Sequence, residues 1–176
     1  MSTANETRET RFAAFVAEHR ARAVNLAWRL LGDRATAEDV AQQAFVRAWR
    51  GLDGFRDEAK LSTWFHSILV RQARSHQRWT AVRRSLGLLT HDGETPSAAG
   101  EQVHADAGLR RRIGAALETL SANQREAFVC IHLQGLSVEE TAAVLGRAPG
   151  TVKSHLHRAL VKLRAELGDL REEEAP

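Results

Sequence analysis

The chain has 176 residues, 43% hydrophobic and 27% charged, with a formal net charge of +3 and a single cysteine. That length suits one large or two small domains, no apolar run approaches the roughly 20 residues of a membrane span, and the opening MSTANETRET lacks the pattern of an export signal. A folded cytoplasmic chain is expected, without membrane insertion, and Cys130 is expected to be a small core residue because it has no partner in the chain.

Residues Thr7 to Leu31 place Phe12, Phe15, Val16, Ala23, Leu26, Ala27 and Leu30 at helical intervals. One long helix, or two in line, should therefore stop at Gly32. A second is expected from Thr36, capped by its side chain with Asp39 three residues on. Val40, Ala44, Ala48 and Leu52 form its apolar line, widened by Phe45 and Trp49, and its other face carries Asp39, Gln42, Gln43, Arg47 and Arg50. From spacing alone that polar face reads as solvated surface.

A glycine-punctuated loop, GLDGFRDEAKL, spans Gly51 to Leu61. Ser62 is placed to cap a helix from Thr63 to about Trp79, with Trp64, Phe65, Ile68, Leu69 and Ala73 inward. Arg71, Arg74 and Arg78 share another side, a candidate phosphate track for single strands. The charge is uneven here: residues 67–90 hold five arginines and no acid, whereas residues 91–108 hold Asp92, Glu94, Glu101 and Asp106 and no Lys or Arg. Periodicity weakens over 80–107, which reads as a flexible acidic linker.

A second small domain follows. Ile113, Ala116, Leu117 and Leu120 line one helix, Ser121 with Gln124 forms a capping box for the next, and Phe128, Ile131 and Leu136 pack inward. Ser137 and Glu140 repeat the capping box, Gly146 stands where a left-handed residue ends a helix, and Pro149 suits the first turn of another. In that last helix Val152, Leu156, Ala159, Leu160, Leu163 and Leu167 make an apolar stripe. Lys153, Ser154, His157 and Arg158 lie off it near the N-terminus, with Lys162 and Arg164 continuing the positive charge. A buttress helix, a tight turn and a basic second helix make a helix-turn-helix, whose second helix reads the major groove. No β pattern appears, so the fold expected is all-α, with two small helical domains and the helix-turn-helix in the C-terminal one.

Taken together, AEDVAQQAFVRAWRGLDGFR, LSTWFHSILVRQARSHQR and QREAFVCIHLQGLSVEETAAVLGRAPGTVKSHLHRAL resemble the bacterial extracytoplasmic-function sigma factors, which keep only conserved regions 2 and 4. The resemblance implies a region 2 domain at 7–79, the linker at 80–107 and a region 4 domain at 108–170. It implies binding to the clamp helices and flap of core RNA polymerase and to promoter DNA, and it leaves room for an anti-sigma factor. Polymerase contacts then fall on Asp39, Gln42, Gln43 and Arg47, turning the polar face into a docking face. Contacts to the melted −10 element fall on Phe55, Lys60, Ser62, Thr63, Arg71, Arg74 and Arg78. Lys153, Ser154, His157 and Arg158 contact the −35 element, the same residues that periodicity exposes. In the family the linker enters polymerase channels that later carry RNA, for which the linker's acidity is suited. Three positions depart from the family pattern: Gln43 stands where many members are acidic, Arg71 where Asn is common, and Ser121-Ala122 where Leu-Pro is usual.

Two other classes compete. Catalysis lacks a nucleophile constellation, a phosphate-cradling glycine loop and zinc spacing. His155 and His157 point about 200° apart on a helix, unlike a metal pair, so no enzyme, cofactor or small-molecule substrate is expected. The alternative function is a dimeric helix-turn-helix regulator binding operators without polymerase, for which the sequence offers no dimerisation helix.

Overall fold

The computed structural model describes residues 2–55, 60–86 and 104–168, with side chains described at 8–55, 60–86, 108 and 111–168. The regular elements among them are helical: α1 (Ser2–Leu31), α2 (Arg34–Gly51), a 3₁₀ turn (Leu52–Gly54), α3 (Leu61–Ser85), α4 (His104–Thr119), α5 (Ala122–Phe128) running into a π turn (Val129–Leu133), α6 (Val138–Leu145) and α7 (Pro149–Leu167). They form two compact units, the first built on α1–α3 and the second on α4–α7.

The first unit closes around aromatic rings. Phe45 of α2 stacks on Phe65 of α3 with ring centroids 4.4 Å apart, and Phe15 of α1 meets Phe65 edge-on at 5.5 Å. Such geometry matches the positive ring edge to the negative face. Fully burying Phe65 contributes about 2 to 3 kcal/mol. Around the rings α2 buries Ala37, Ala41, Ala44 and Ala48, small side chains at helical spacing that let a neighbouring helix lie close. The polar ties are long-range. Arg8 donates to the Trp49 carbonyl at 3.3 Å, pairs with Asp53 and lies over the Trp49 ring at 4.7 Å. Gln77 donates to the Leu30 carbonyl at 2.9 Å, satisfying the last turn of α1. Gly32, at φ 84°, then lets the chain leave that helix.

Helix boundaries differ from the sequence expectations. α2 starts at Arg34, so Thr36 is an interior residue and Asp33, itself of capping type, occupies the position before the helix. α3 starts at Leu61 after an extended Lys60, so Ser62 is inside the helix and no side chain caps it. At the other end α3 runs to Ser85, while α4 begins at His104. Both ends of the 80–107 stretch are therefore helical, and residues 87–103, with Asp92, Glu94 and Glu101, lie outside the described residues. So do residues 56–59 of the loop before α3.

In the second unit Ala116, Leu117 and Leu120 of α4 pack with Ala159 and Leu163 of α7, joined by Ile113, Phe128 and Leu167. Cys130 is buried, as a small core residue. Both capping boxes form: Gln124 N–H donates to Ser121 Oγ (3.4 Å) and Ser121 N–H to Gln124 Oε1 (3.1 Å). The Ser137–Glu140 box is tighter, at 3.0 and 2.9 Å. Gly146, at φ 63°, ends α6 with its N–H on the Ala143 carbonyl and the Arg147 N–H on the Ala142 carbonyl, a Schellman turn. The single helix expected through Ile131 is interrupted. Residues Val129 to Leu133 widen into a π turn whose Gln134 N–H donates to the Val129 carbonyl.

Candidate nucleic-acid and polymerase interfaces

The turn between α6 and α7 fixes which residues of α7 face outward. Pro149 opens the helix where its missing N–H costs nothing, and the Thr151 and Val152 N–H groups both donate to the Ala148 carbonyl. Val152, Ala159 and Leu163 are buried. Lys153, Ser154, His157 and Arg158 are all exposed on the opposite side. The Ser154 hydroxyl donates to the Gly150 carbonyl at 3.0 Å, holding its rotamer. Val161, 51% exposed, shares this face and extends it one turn; it lies four residues after His157, a spacing that marks the position in the sequence.

Lys162, which continues the positive charge of α7 in the sequence, belongs to the scaffold, and so does Arg147 of the preceding turn. Lys162 donates its ammonium to the Thr119 carbonyl at the end of α4, and Arg147 donates to Asn123 Oδ1 at 2.6 Å. Arg125 does similar work from α5. Its Nε donates to the Leu117 carbonyl at 2.8 Å and its Nη2 to the Glu118 carbonyl at 3.0 Å, satisfying the last turn of α4. Burial lowers the Arg125 guanidinium below its ordinary pKa, partly offset by the Glu118 carboxylate, and it remains a cation at neutral pH.

In the first unit α3 exposes Arg71 and Arg78, with Arg74 half-buried between them; on a helix the three lie within an arc of about 60°. Lys60 is exposed and Ser62 half-buried. Phe55 is half-buried with its ring 5.1 Å from Trp64, so part of its surface is taken up within the chain. Thr63, at 7% exposure, packs inward, and α3 begins at Leu61, two residues earlier than a Ser62 cap would place it.

On α2, Asp39, Gln42, Gln43, Arg47 and Arg50 are exposed along one stripe. Arg47 also has an internal role: with the Gln72 amide oxygen turned toward α2, its Nη1 and Nε donate to that oxygen at 3.2 and 3.0 Å. Val46, 43% exposed, sits in the middle of this polar stripe and was hidden in the sequence by its charged neighbours. An apolar centre within a polar rim is the anatomy of a protein-docking surface. Among the described residues no group of His, Cys, Asp and Glu is arranged to hold a metal, and no helix is long and apolar enough to cross a membrane.

Residues 15–81, spanning most of α1 through α3, match the family profile for Sigma-70 region 2, and residues 110–163 match that for Sigma-70 region 4. The chain is 35% identical over 142 residues to an RNA polymerase sigma-E factor of Streptomyces avermitilis, covering 79% of this chain and 75% of the relative. It is 34% identical over 154 residues to the ECF RNA polymerase sigma factor SigL of Mycobacterium tuberculosis, covering 87% and 86%. The chain is an extracytoplasmic-function sigma factor of the sigma-70 family. Among solved structures this sigma factor is similar to RpoE of Bartonella quintana, determined in complex with the anti-sigma factor NepR. That likeness has a TM-score of 0.71 at 28% identity and covers 90% of this chain and 97% of RpoE. It is also similar to CnrH, determined in complex with the cytosolic domain of CnrY, with a TM-score of 0.68, 25% identity and coverage of 95% and 91%.

As a sigma factor the protein binds core RNA polymerase and promoter DNA and directs promoter-specific initiation. The region 4 match takes in α6 and α7 as far as residue 163, and the region 2 match takes in α3 as far as residue 81. The Gln124–Arg125 pair, quoted above as part of the family signature, turns out to be structural: one residue caps α5 and the other closes α4.

Proposed function

We propose that this sigma factor divides its work between the two units. The first, as a region 2 domain, docks on the polymerase clamp helices through Asp39, Gln42, Gln43 and Val46 and captures the melted −10 element along Phe55, Lys60, Ser62, Arg71, Arg74 and Arg78. The second, as a region 4 domain, engages the polymerase flap and reads the −35 element with Lys153, Ser154, His157 and Arg158. The observation that carries this reading is the outward face of α7. Four polar or cationic side chains stand exposed there while the turn before them is fixed by a capping box, a left-handed glycine and a helix-opening proline. Such rigidity is what placing side chains against base edges requires.

An anti-sigma partner is part of the proposal, by analogy with RpoE, whose structure was determined with NepR. The site of action proposed is the cytoplasm, where polymerase and promoter are found, and no catalytic role of the chain's own is proposed. The operator-binding dimer is not favoured, since a region 2 domain has no place in it. The test is transcription in vitro by purified core polymerase with and without the protein, on a genomic-fragment library whose RNA 5′ ends are sequenced. Discrete protein-dependent starts sharing two upstream elements are expected. Starts that do not depend on the protein, beside duplex binding by a free dimer, would refute the reading.

A further inference from the structure

The inward stripe of α3 ends at Ala73, yet the helix continues for three more turns. On that extension Trp79 is 63% exposed and Val82 55%, and Leu86, the residue that follows the helix, is 66% exposed. Those three positions fall on the same side of the helix axis as Arg71 and Arg78, within about 100° of one another. Trp79 lies about 12 Å beyond Arg71 along the axis, at 1.5 Å per residue. The Arg83 guanidinium sits over the Trp79 ring, 4.9 Å from its centroid, and holds the indole while leaving most of it open.

We propose that Trp79, braced by Arg83, is a base-stacking position for single-stranded promoter DNA and extends the −10 surface of α3 toward the helix C-terminus. Two features select this occupant. Residues 67–90 contain five arginines and no acid, which favours a polyanion over an ordinary protein face. The open indole selects unstacked bases, because a duplex keeps its π-faces inside the stack. Val82 and Leu86 supply apolar contact beside the ring, and the Arg83 contact reduces the side-chain freedom that binding would otherwise remove. The inference rests on the −10 reading of α3.

The test uses holoenzyme reconstituted with core polymerase and two probes drawn from a promoter mapped in vitro. One is a fork-junction DNA with a single-stranded −10 segment, and the other is the −35 duplex alone. Trp79→Ala is expected to weaken binding to the fork about tenfold, within the range for one stacked base. Its dependence on salt should stay unchanged, since no phosphate contact is lost. Trp79→Phe should recover most of the affinity, and binding to the −35 duplex and to core polymerase should not move. Fork binding by Trp79→Ala within twofold of the unaltered protein overturns the proposal. Arg71→Ala separates the two ways of failing. If it weakens fork binding and flattens the salt dependence while Trp79→Ala does neither, the stacking position alone falls. If neither variant has an effect, the −10 reading of α3 falls as well. A Trp79→Ala defect confined to core polymerase binding would mark the ridge as a protein-docking face and also overturn the proposal.

Discussion

Replacing Arg125 with methionine should destabilise the second unit by about 2 to 3 kcal/mol. The guanidinium makes two charge-assisted hydrogen bonds to the last carbonyls of α4, at 2.8 and 3.0 Å, and bonds of this kind contribute roughly 1.5 to 3 kcal/mol each. Two effects reduce the sum. Burial already disfavours the charged guanidinium, as its lowered pKa shows, and water can reach the freed Glu118 carbonyl, since that bond is exposed. Methionine retains the apolar stem, so packing loss is small. The sign of the pH dependence follows from the same shift. A cation with its pKa depressed in the folded state carries a penalty at every pH below that value, relieved only as pH rises through it. The cost of Arg125→Met should therefore be flat between about pH 5 and 9. The assay is urea unfolding followed by two signals. All four tryptophans, Trp28, Trp49, Trp64 and Trp79, lie in the first unit, so fluorescence reports that unit while far-ultraviolet circular dichroism reports both. The dichroism transition should move to lower urea with the fluorescence transition in place. A loss below about 0.5 kcal/mol would refute the assignment of Arg125 as the closure of α4, because even one neutral hydrogen bond contributes that much.

Further outcomes follow from the same geometry. Lys153→Ala and Arg158→Ala should each weaken −35 binding by about 1 to 3 kcal/mol if they touch bases, measured by titrating holoenzyme against −35 duplexes; unchanged binding in both would remove them from the interface. Lys162→Ala should leave that affinity and its salt dependence unchanged, because the ammonium is directed at Thr119, and should instead lower stability by about 0.5 to 1 kcal/mol in the same urea assay. Thr141 is fully buried in α6 and its Oγ1 has no hydrogen-bond partner, so Thr141→Val should raise stability by up to about 1 kcal/mol. A stability loss in that variant would show that the hydroxyl is partnered.

What the sequence disclosed well was local. Ser121 with Gln124, Ser137 with Glu140, Gly146 and Pro149 act within four residues of themselves, so their types and spacing suffice, and the exposed set on α7 follows once the apolar stripe is drawn. Helix starts were less legible where the true boundary carries no capping side chain, as at Lys60, or where a nearer residue of capping type, Asp33, stands ahead of Thr36. The end of α3 was missed because TAVRRS has no inward face, so apolar periodicity fades while the backbone stays helical. Least legible were the ties across distance. Gln77 to Leu30, Lys162 to Thr119 and Arg147 to Asn123 join residues 47, 43 and 24 positions apart, and nothing in one sequence pairs them. That is why Lys162, a scaffold cation, reads in the sequence as a continuation of the positive charge on α7.

The hydrogen bond inside α7 also bears on which bases the protein prefers. A hydroxyl has one hydrogen to give, and Ser154 has given it to the Gly150 carbonyl. What remains is a pair of lone pairs, so in the proposed −35 contact Ser154 would meet DNA as an acceptor. In the major groove only the exocyclic amino groups of adenine and cytosine answer that need; guanine O6 and thymine O4 present a second acceptor. At whichever base pair Ser154 touches, selectivity falls on the strand that carries the amine, a bias set by the carbonyl one turn earlier in the same helix.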